Sequence, residues 1–365
     1  MSEWQTFCLK DLVKIFGGST PPTNNPKNYG NKIRWITAKD LSTLQGRYIK
    51  KGSRNISRLG FKSCSTFLLP KHAILFSVRA PIGYTAIISK RSCTDRGLMG
   101  LVPNKKIYFE FLYYLLKYHK HNISNMGVGT TFKGISKPAL GLFQVKIPPT
   151  YYEQQKIART LSVLDQKIEN NHKINELLHN LTHKVYGYYF KYKPKNAKLE
   201  QIIIENPKSS IMVKNAQKTQ DKYPFFTSGD NTLSYPKAII DGRNCFLNTG
   251  GNAGIKFYVG KASYSTDTWC IGANEFSDYL YLLLSSIKTH INQSFFQGTS
   301  LKHLQKNLLK KYPIYMPSAH EIKKFNQIIM PLLTLISINT RTSKKLEQIR
   351  DFLLPLLLKQ QVKPQ

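Results

Sequence analysis

The hydrophobic pattern is most regular between Gln155 and Val185. Apolar residues stand at Ile157, Leu161, Leu164, Ile168, Ile174, Leu178, Leu181 and Val185, with Asn171 holding the place between Ile168 and Ile174. Steps of three and four follow one another, which marks a helix with one dry stripe. The pattern returns near the C-terminus at Phe325, Ile329, Leu332, Ile336, Asn339, Leu346, Ile349 and Leu353. Each of these lies 168 residues after its counterpart (325 − 157 and 353 − 185 both give 168), and the asparagine recurs at the same place. The helices are expected over Tyr151–Lys191 and Ala319–Lys359, about 41 residues or roughly 60 Å each. A lone stripe of that length would stay wet, so the two are expected to pair as an antiparallel coiled coil. Asn171 and Asn339 are then the midpoints and should meet across the seam, where a buried amide penalises slipped registers. Pro331 is expected to bend the second helix near its start.

Outside the helices the pattern is that of short strands. "AILFSV" (Ala73–Val78), "YTAIIS" (Tyr84–Ser89), "GLMGLV" (Gly97–Val102), "NCFLNT" (Asn244–Thr249) and "IKFYVG" (Ile255–Gly260) are β-rich runs divided by turn residues such as Gly83 and Gly251. Phe109–Tyr118 and Phe276–Lys288 have helical spacing. The repeat extends through these regions. "GTTFKGISKPALGLFQVKIP" (Gly129–Pro148) matches "GTSLKHLQKNLLKKYPIYMP" (Gly298–Pro317) at an offset of 169. Fainter echoes pair "RWITAKDL" with "PFFTSGDN", "LFSVRAPIG" with "FLNTGGNAG", and "CTDRG" (Cys93–Gly97) with "STDTW" (Ser265–Trp269). The chain therefore divides into a mixed α/β domain at 1–150, a long helix at 151–193, a second domain at 194–318 and a second helix at 319–365. The fold class is α+β, with two pseudo-repeated domains separated by the paired helices.

Charge narrows the function. The chain of 365 residues carries 54 Lys and Arg against 20 Asp and Glu, a formal net charge of +34 spread along its length. That excess points to a polyanionic partner, nucleic acid before a membrane surface. No stretch approaches the ~20 apolar residues of a spanning helix. The five cysteines show no CxxC spacing and read as reduced thiols of a cytoplasmic protein. Catalytic signatures fail one by one. "GIKFYVGKA" (Gly254–Ala262) has one residue too many for a phosphate-binding loop and lacks the metal-binding hydroxyl. His179 and His183 frame Asn180 where a zinc hydrolase has glutamate. The expectation is a chain with no catalytic residues, no metal and no bound cofactor.

DNA can be contacted by Arg, Lys, Asn, Gln, Ser and Thr on glycine-rich loops. In the first domain such loops run Gly17–Gly30 (Ser19, Thr20, Lys27 and Tyr29), Ser77–Gly83 (Arg79) and Gly127–Gly134 (Thr130, Thr131 and Lys133), with Lys39 nearby. In the second they run Thr227–Asn231 (Ser228 and Asn231), Asn248–Gly254 (Asn248 and Asn252, then Lys256) and Gln297–His303 (Thr299, Ser300 and Lys302). Residues that differ between copies, such as Arg79 against Gly250, are the ones expected to differ in sequence preference.

The passage "GTTFKGIS…IPP…EQQKIA", its second copy and the paired helices together resemble the specificity subunit of type I restriction–modification systems. The second copy departs from the pattern, with "MPSAHEIKKF" at the junction. The resemblance covers essentially the whole chain. It implies two target-recognition domains, each reading half of a bipartite double-stranded DNA site, and helices that fix the spacer between the halves. It also implies partners: modification subunits, two per copy, and restriction subunits. S-adenosylmethionine, ATP and Mg serve those partners. The alternatives are the specificity subunit of an orphan or type II-like modification enzyme, and a non-specific architectural DNA-binding scaffold.

Overall fold

The computed structural model describes residues 3–79, 81–129, 133–216 and 222–364. It divides into two compact units, one formed by residues 1–170 and 343–365, the other by residues 171–342. The long helices run Tyr151–Phe190 and Ala319–Leu358, each 40 residues. The second is continuous through Pro331.

The first unit is built on a five-stranded sheet in the order Val13–Gly17, Leu98–Pro103, Ile74–Ser77, Thr85–Ile88 and Tyr48–Ile49. Its pairings are antiparallel except that of the edge strand Tyr48–Ile49. Ile74–Ser77 is buried along its whole length, which is why it reads as an unbroken apolar run rather than an alternation. Tyr29–Ile36 lies between Arg54–Ile56 and Cys93–Thr94 in a smaller sheet. The helix Phe109–Tyr118 buries Phe111 through Leu116. Ile157, Ala158 and Leu161 of the first long helix join the same core, as do Leu354, Leu357 and Leu358 from the end of the second.

The second unit repeats the plan with a four-stranded main sheet. Ile204–Glu205, Thr268–Gly272, Arg243–Asn248 and Ile255–Val259 form an antiparallel sheet in that order. Tyr223–Phe226 lies between Leu233–Tyr235 and Ser263–Tyr264, the latter pairing parallel. The helix Ser277–Ser286 covers the sheet and buries Tyr279 through Leu284. Tyr186 and Phe190 of the first long helix and Ile322, Phe325, Ile329, Leu333 and Ile336 of the second complete the core. Tyr186 and Phe190 match Leu354 and Leu358 of the first unit at the offset of 168 (354 − 186, 358 − 190).

The ladders correct one echo. Phe76 pairs with Met99 and Leu247 with Trp269, while Leu75 pairs with Ala86 and Phe246 with Lys256. Met99 thus corresponds to Trp269 at an offset of 170 (269 − 99), whereas aligning "CTDRG" with "STDTW" requires 172 (265 − 93). The shared Thr-Asp dipeptide is misleading. Backbone turns show the equivalence: the Leu98 amide donates to the Asp95 carbonyl (3.2 Å) as the Thr268 amide does to that of Ser265 (3.1 Å). Asp267 therefore corresponds to Gly97.

Antiparallel pairing of the helices is visible within each unit. In the second, Asn339 Nδ2 donates to Asn175 Oδ1 (3.0 Å) and the Phe190 ring lies 4.9 Å from that of Phe325. The asparagine prediction is corrected here: the amide facing Asn339 belongs to Asn175, one turn beyond Asn171. Facing residues sum to 514 or 515 (175 + 339, 190 + 325), whereas meeting midpoints would sum to 510 (171 + 339). The aromatic packing in the unit's core, from Phe190, Tyr279 and Phe325, sets this stagger. Asn171 itself is 3% exposed, so an amide is buried there as expected.

Both units fasten their long-helix segments with an arginine, buried in the first and half-buried in the second. Arg47 joins Glu110 on the first unit's helix to Glu169 on the long helix, each at 3.2 Å. Arg243 meets Asp278 (Nε to Oδ2, 2.6 Å) and also reaches Thr334 Oγ1 (2.9 Å) and the Met330 carbonyl (3.2 Å) on the long helix. The acids correspond (278 − 110 = 168), but the arginines come from unrelated positions.

Candidate nucleic-acid interface

In the second unit the three glycine-bearing loops meet at Thr249, which follows the strand Arg243–Asn248. The Thr249 amide donates to the Asp267 carbonyl (3.2 Å) and to Ser228 Oγ (3.1 Å), and its hydroxyl donates to the same carbonyl (2.7 Å). Its own carbonyl accepts from the Leu304 amide (3.0 Å). Ser228 Oγ in turn donates to the Asp267 carbonyl. The Gly251 amide donates to the Lys302 carbonyl (2.9 Å), and Gly250 forms a β-bridge with His303. Thr227–Asn231, Asn248–Gly254 and Gln297–His303 are thereby one assembly.

The first unit builds the same junction around Val78. Its amide donates to the Gly97 carbonyl (3.0 Å), and its carbonyl accepts from the Ile135 amide (2.9 Å). Gly134 bridges both Arg79 and Val128, which joins Ser77–Gly83 to Gly127–Gly134. The Gly17–Gly30 loop reaches the same segment, with Gly18 and Ser19 donating to the carbonyls of Leu98 and Thr94 (both 3.0 Å). Sequence reading missed the junction residues Thr249 and Asp267 because their contributions are largely main-chain.

The described candidate side chains divide into three groups. Lys27, Lys39, Arg79, Lys133, Asn231, Asn252, Thr299, Ser300 and Lys302 are exposed on these loops or beside them. Ser19, Thr20 and Ser228 are half-buried. Others are committed internally: Tyr29 donates its hydroxyl to the Pro21 carbonyl (3.1 Å), and Asn248 is 7% exposed with its amide on the Asn252 carbonyl (3.1 Å). Lys256 Nζ donates to the carbonyls of Thr227 (2.7 Å) and Gly229. Thr130 and Thr131 lie outside the described residues. Among the described residues no group of three His, Cys, Asp or Glu side chains could hold a metal ion, and no helix is long and apolar enough to cross a membrane.

Gly298 sets the third loop of the second unit. Its φ is +142°, and a Cβ there would stand 2.4 Å from the Leu301 carbonyl oxygen. That region is steeply unfavourable for any other residue. Gly298→Ala is expected to displace Gln297–His303 while leaving the core intact. Hydrogen exchange checks this: the Gly251 amide, held by Lys302, should lose protection, and amides of the strand Arg243–Asn248 should keep theirs.

The family model for the type I restriction modification DNA specificity domain matches residues 1–180 and 194–348. The type I restriction enzyme MjaIX specificity subunit of Methanocaldococcus jannaschii is 29% identical over 98% of this chain and 93% of its own. The HindI specificity subunit of Haemophilus influenzae is 30% identical over 31% of this chain and 24% of its own. The crystal structure of a type I restriction–modification S subunit from M. genitalium superposes with a TM-score of 0.65 at 18% identity, covering 97% of this chain and 96% of that one.

Proposed function

The chain belongs to the family of type I restriction modification DNA specificity domains, and on that premise we propose that it reads a bipartite double-stranded DNA site, one half with each unit's loop assembly. The observation that carries this reading is the repetition of one junction, around Val78 and around Thr249, with exposed cations and amides on its loops. A scaffold that only neutralised phosphates would need the charge of +34 but not two matched, rigidly braced loop sets. In this reading the paired helices hold the halves at a fixed gap. The chain works in the cytoplasm as the non-catalytic member of a complex. Two modification subunits and the restriction subunits assemble with it and carry out methyl transfer and cleavage, using S-adenosylmethionine, ATP and Mg.

Methylation sequencing of the host genome tests this. A two-part motif with a constant gap should be methylated in cells carrying the chain and unmethylated when its gene is deleted. A methylome that the deletion leaves unaltered would sink the proposal. An orphan modification enzyme would give the same motif without restriction subunits in the purified complex. An architectural scaffold would bind DNA with steep salt dependence and little preference among duplexes.

A further inference from the structure

We propose that Lys256 is a positioning residue for the second half-site: its ammonium group holds the Thr227–Asn231 loop in its reading conformation and contacts no phosphate. This rests on the two-headed DNA reading above and deepens it.

The comparison between the two units carries the inference. In the first unit the corresponding loop is a helical turn, Ala38–Ser42, closed by a capping box. Asp40 there accepts from the Thr37 amide and hydroxyl and from the Ser53 amide, each at 2.8 Å. In the second unit Ser228-Gly229 stands where the first has Ala38-Lys39, glycine is a poor helix former, and no helix is formed at 227–231. Asp230 is exposed and accepts no such bonds among the described residues. What fastens the loop is a cation from the neighbouring strand. Lys256 pairs with Phe246 as Ala86 pairs with Leu75 in the first unit, so a lysine occupies a position that there is a fully buried alanine.

An ammonium carries three donors. Two of those on Lys256 are spent on the carbonyls of Thr227 and Gly229. The side chain is half-buried, and burial lowers its pKa while the nearby Asp230 and Asp267 oppose that fall. A lysine placed to meet phosphate would instead lie exposed with its donors free, as the exposed Lys302 does on the adjoining loop. The two carbonyls flank Ser228, whose hydroxyl contacts Thr249 and Asp267. The ammonium therefore braces the backbone on both sides of the serine that ties this loop to the Thr249 junction.

The test compares Lys256→Met, Lys256→Arg and Ser228→Ala in the assembled complex. With Lys256→Met, methylation sequencing should show the second half of the motif relaxed, with roughly a tenfold loss of discrimination at its bases and the first half intact. Lys256→Arg should restore the wild-type motif. Ser228→Ala, which loosens the same loop without removing a cation, should reproduce the relaxed half. On a duplex of random sequence, the salt dependence of Lys256→Met binding should equal that of the wild type, because a lost phosphate contact would lower the slope by about one. Hydrogen exchange should show faster exchange at 227–231 in Lys256→Met, with the strand Ile255–Val259 still protected. A slope lowered by about one, or unaltered exchange in that loop, overturns the inference. If the wild type writes a two-part motif and Lys256→Met writes the same one, the inference also fails while the two-headed reading stands. If the wild type writes no motif, the two-headed reading fails and the exchange data still decide the role of Lys256 in the loop.

Discussion

Replacing Arg350 with methionine is expected to destabilise the first unit by about 3–5 kcal/mol. Arg350 is the sole cation bonded to Asp165 among the described ion pairs, at 2.6 Å, and their side chains are 15% and 6% exposed. Asp165 also accepts from the buried Tyr114 hydroxyl (2.6 Å), whose pKa burial raises. Removing the guanidinium leaves a buried carboxylate whose remaining described hydrogen bond comes from a phenol. The sign is informative. The chain carries +34, so a surface view of electrostatics expects loss of one cation to relieve repulsion and stabilise. The buried pair predicts the reverse. Chemical denaturation of the variant checks it, and Arg350→Met combined with Asp165→Asn should recover much of the loss, since no unpaired charge then remains. A variant as stable as the wild type would show that the pair is not desolvated.

Phe325→Ala is the second large effect, expected to cost the second unit about 3–5 kcal/mol. The ring is fully buried and packs edge-on against Phe190 (4.9 Å) and Tyr189 (5.8 Å). It belongs to the second long helix, yet it fills the core of a domain that precedes that helix in the chain. A helix that only spaced two finished domains would tolerate the change with a small loss. Thermal unfolding of the variant should show the second unit melting earlier, with the transition of the first nearly unmoved.

Much of this architecture was legible because hydrophobic spacing encodes it directly. The helix starts at Tyr151 and Ala319 were read to the residue, since the breaks after Pro149 and Pro317 are strong local signals. The strands Ile74–Ser77 and Ile255–Val259 were legible as apolar or β-branched runs bounded by turns. The stagger of the helices was not. The matched stripes are compatible with more than one antiparallel register, and the choice falls to rings such as Phe190 and Phe325 that the stripe treats as ordinary apolar positions. Asn339 consequently meets Asn175 rather than Asn171.

The loops were found by composition, and their convergence was not. Thr249 gathers three segments mainly through its amide and carbonyl, groups that every non-proline residue carries, so nothing in its identity announces the junction. Asn248 and Lys256 have the side chains of DNA contacts, but their polar groups turn inward to carbonyls. Residue type could not separate these from Asn252 and Lys302, which are exposed on the same assembly.

The central claim is that the two loop assemblies read two DNA half-sites at a distance set by the long helices. One heptad inserted before Asn171 and one before the matched Asn339 would lengthen both helices by about 10 Å while keeping their stripes in phase. Methylation sequencing of cells carrying that variant measures the result. The account predicts the same two half-motifs separated by a gap longer by roughly three base pairs. The original gap, written by the lengthened protein, would contradict it.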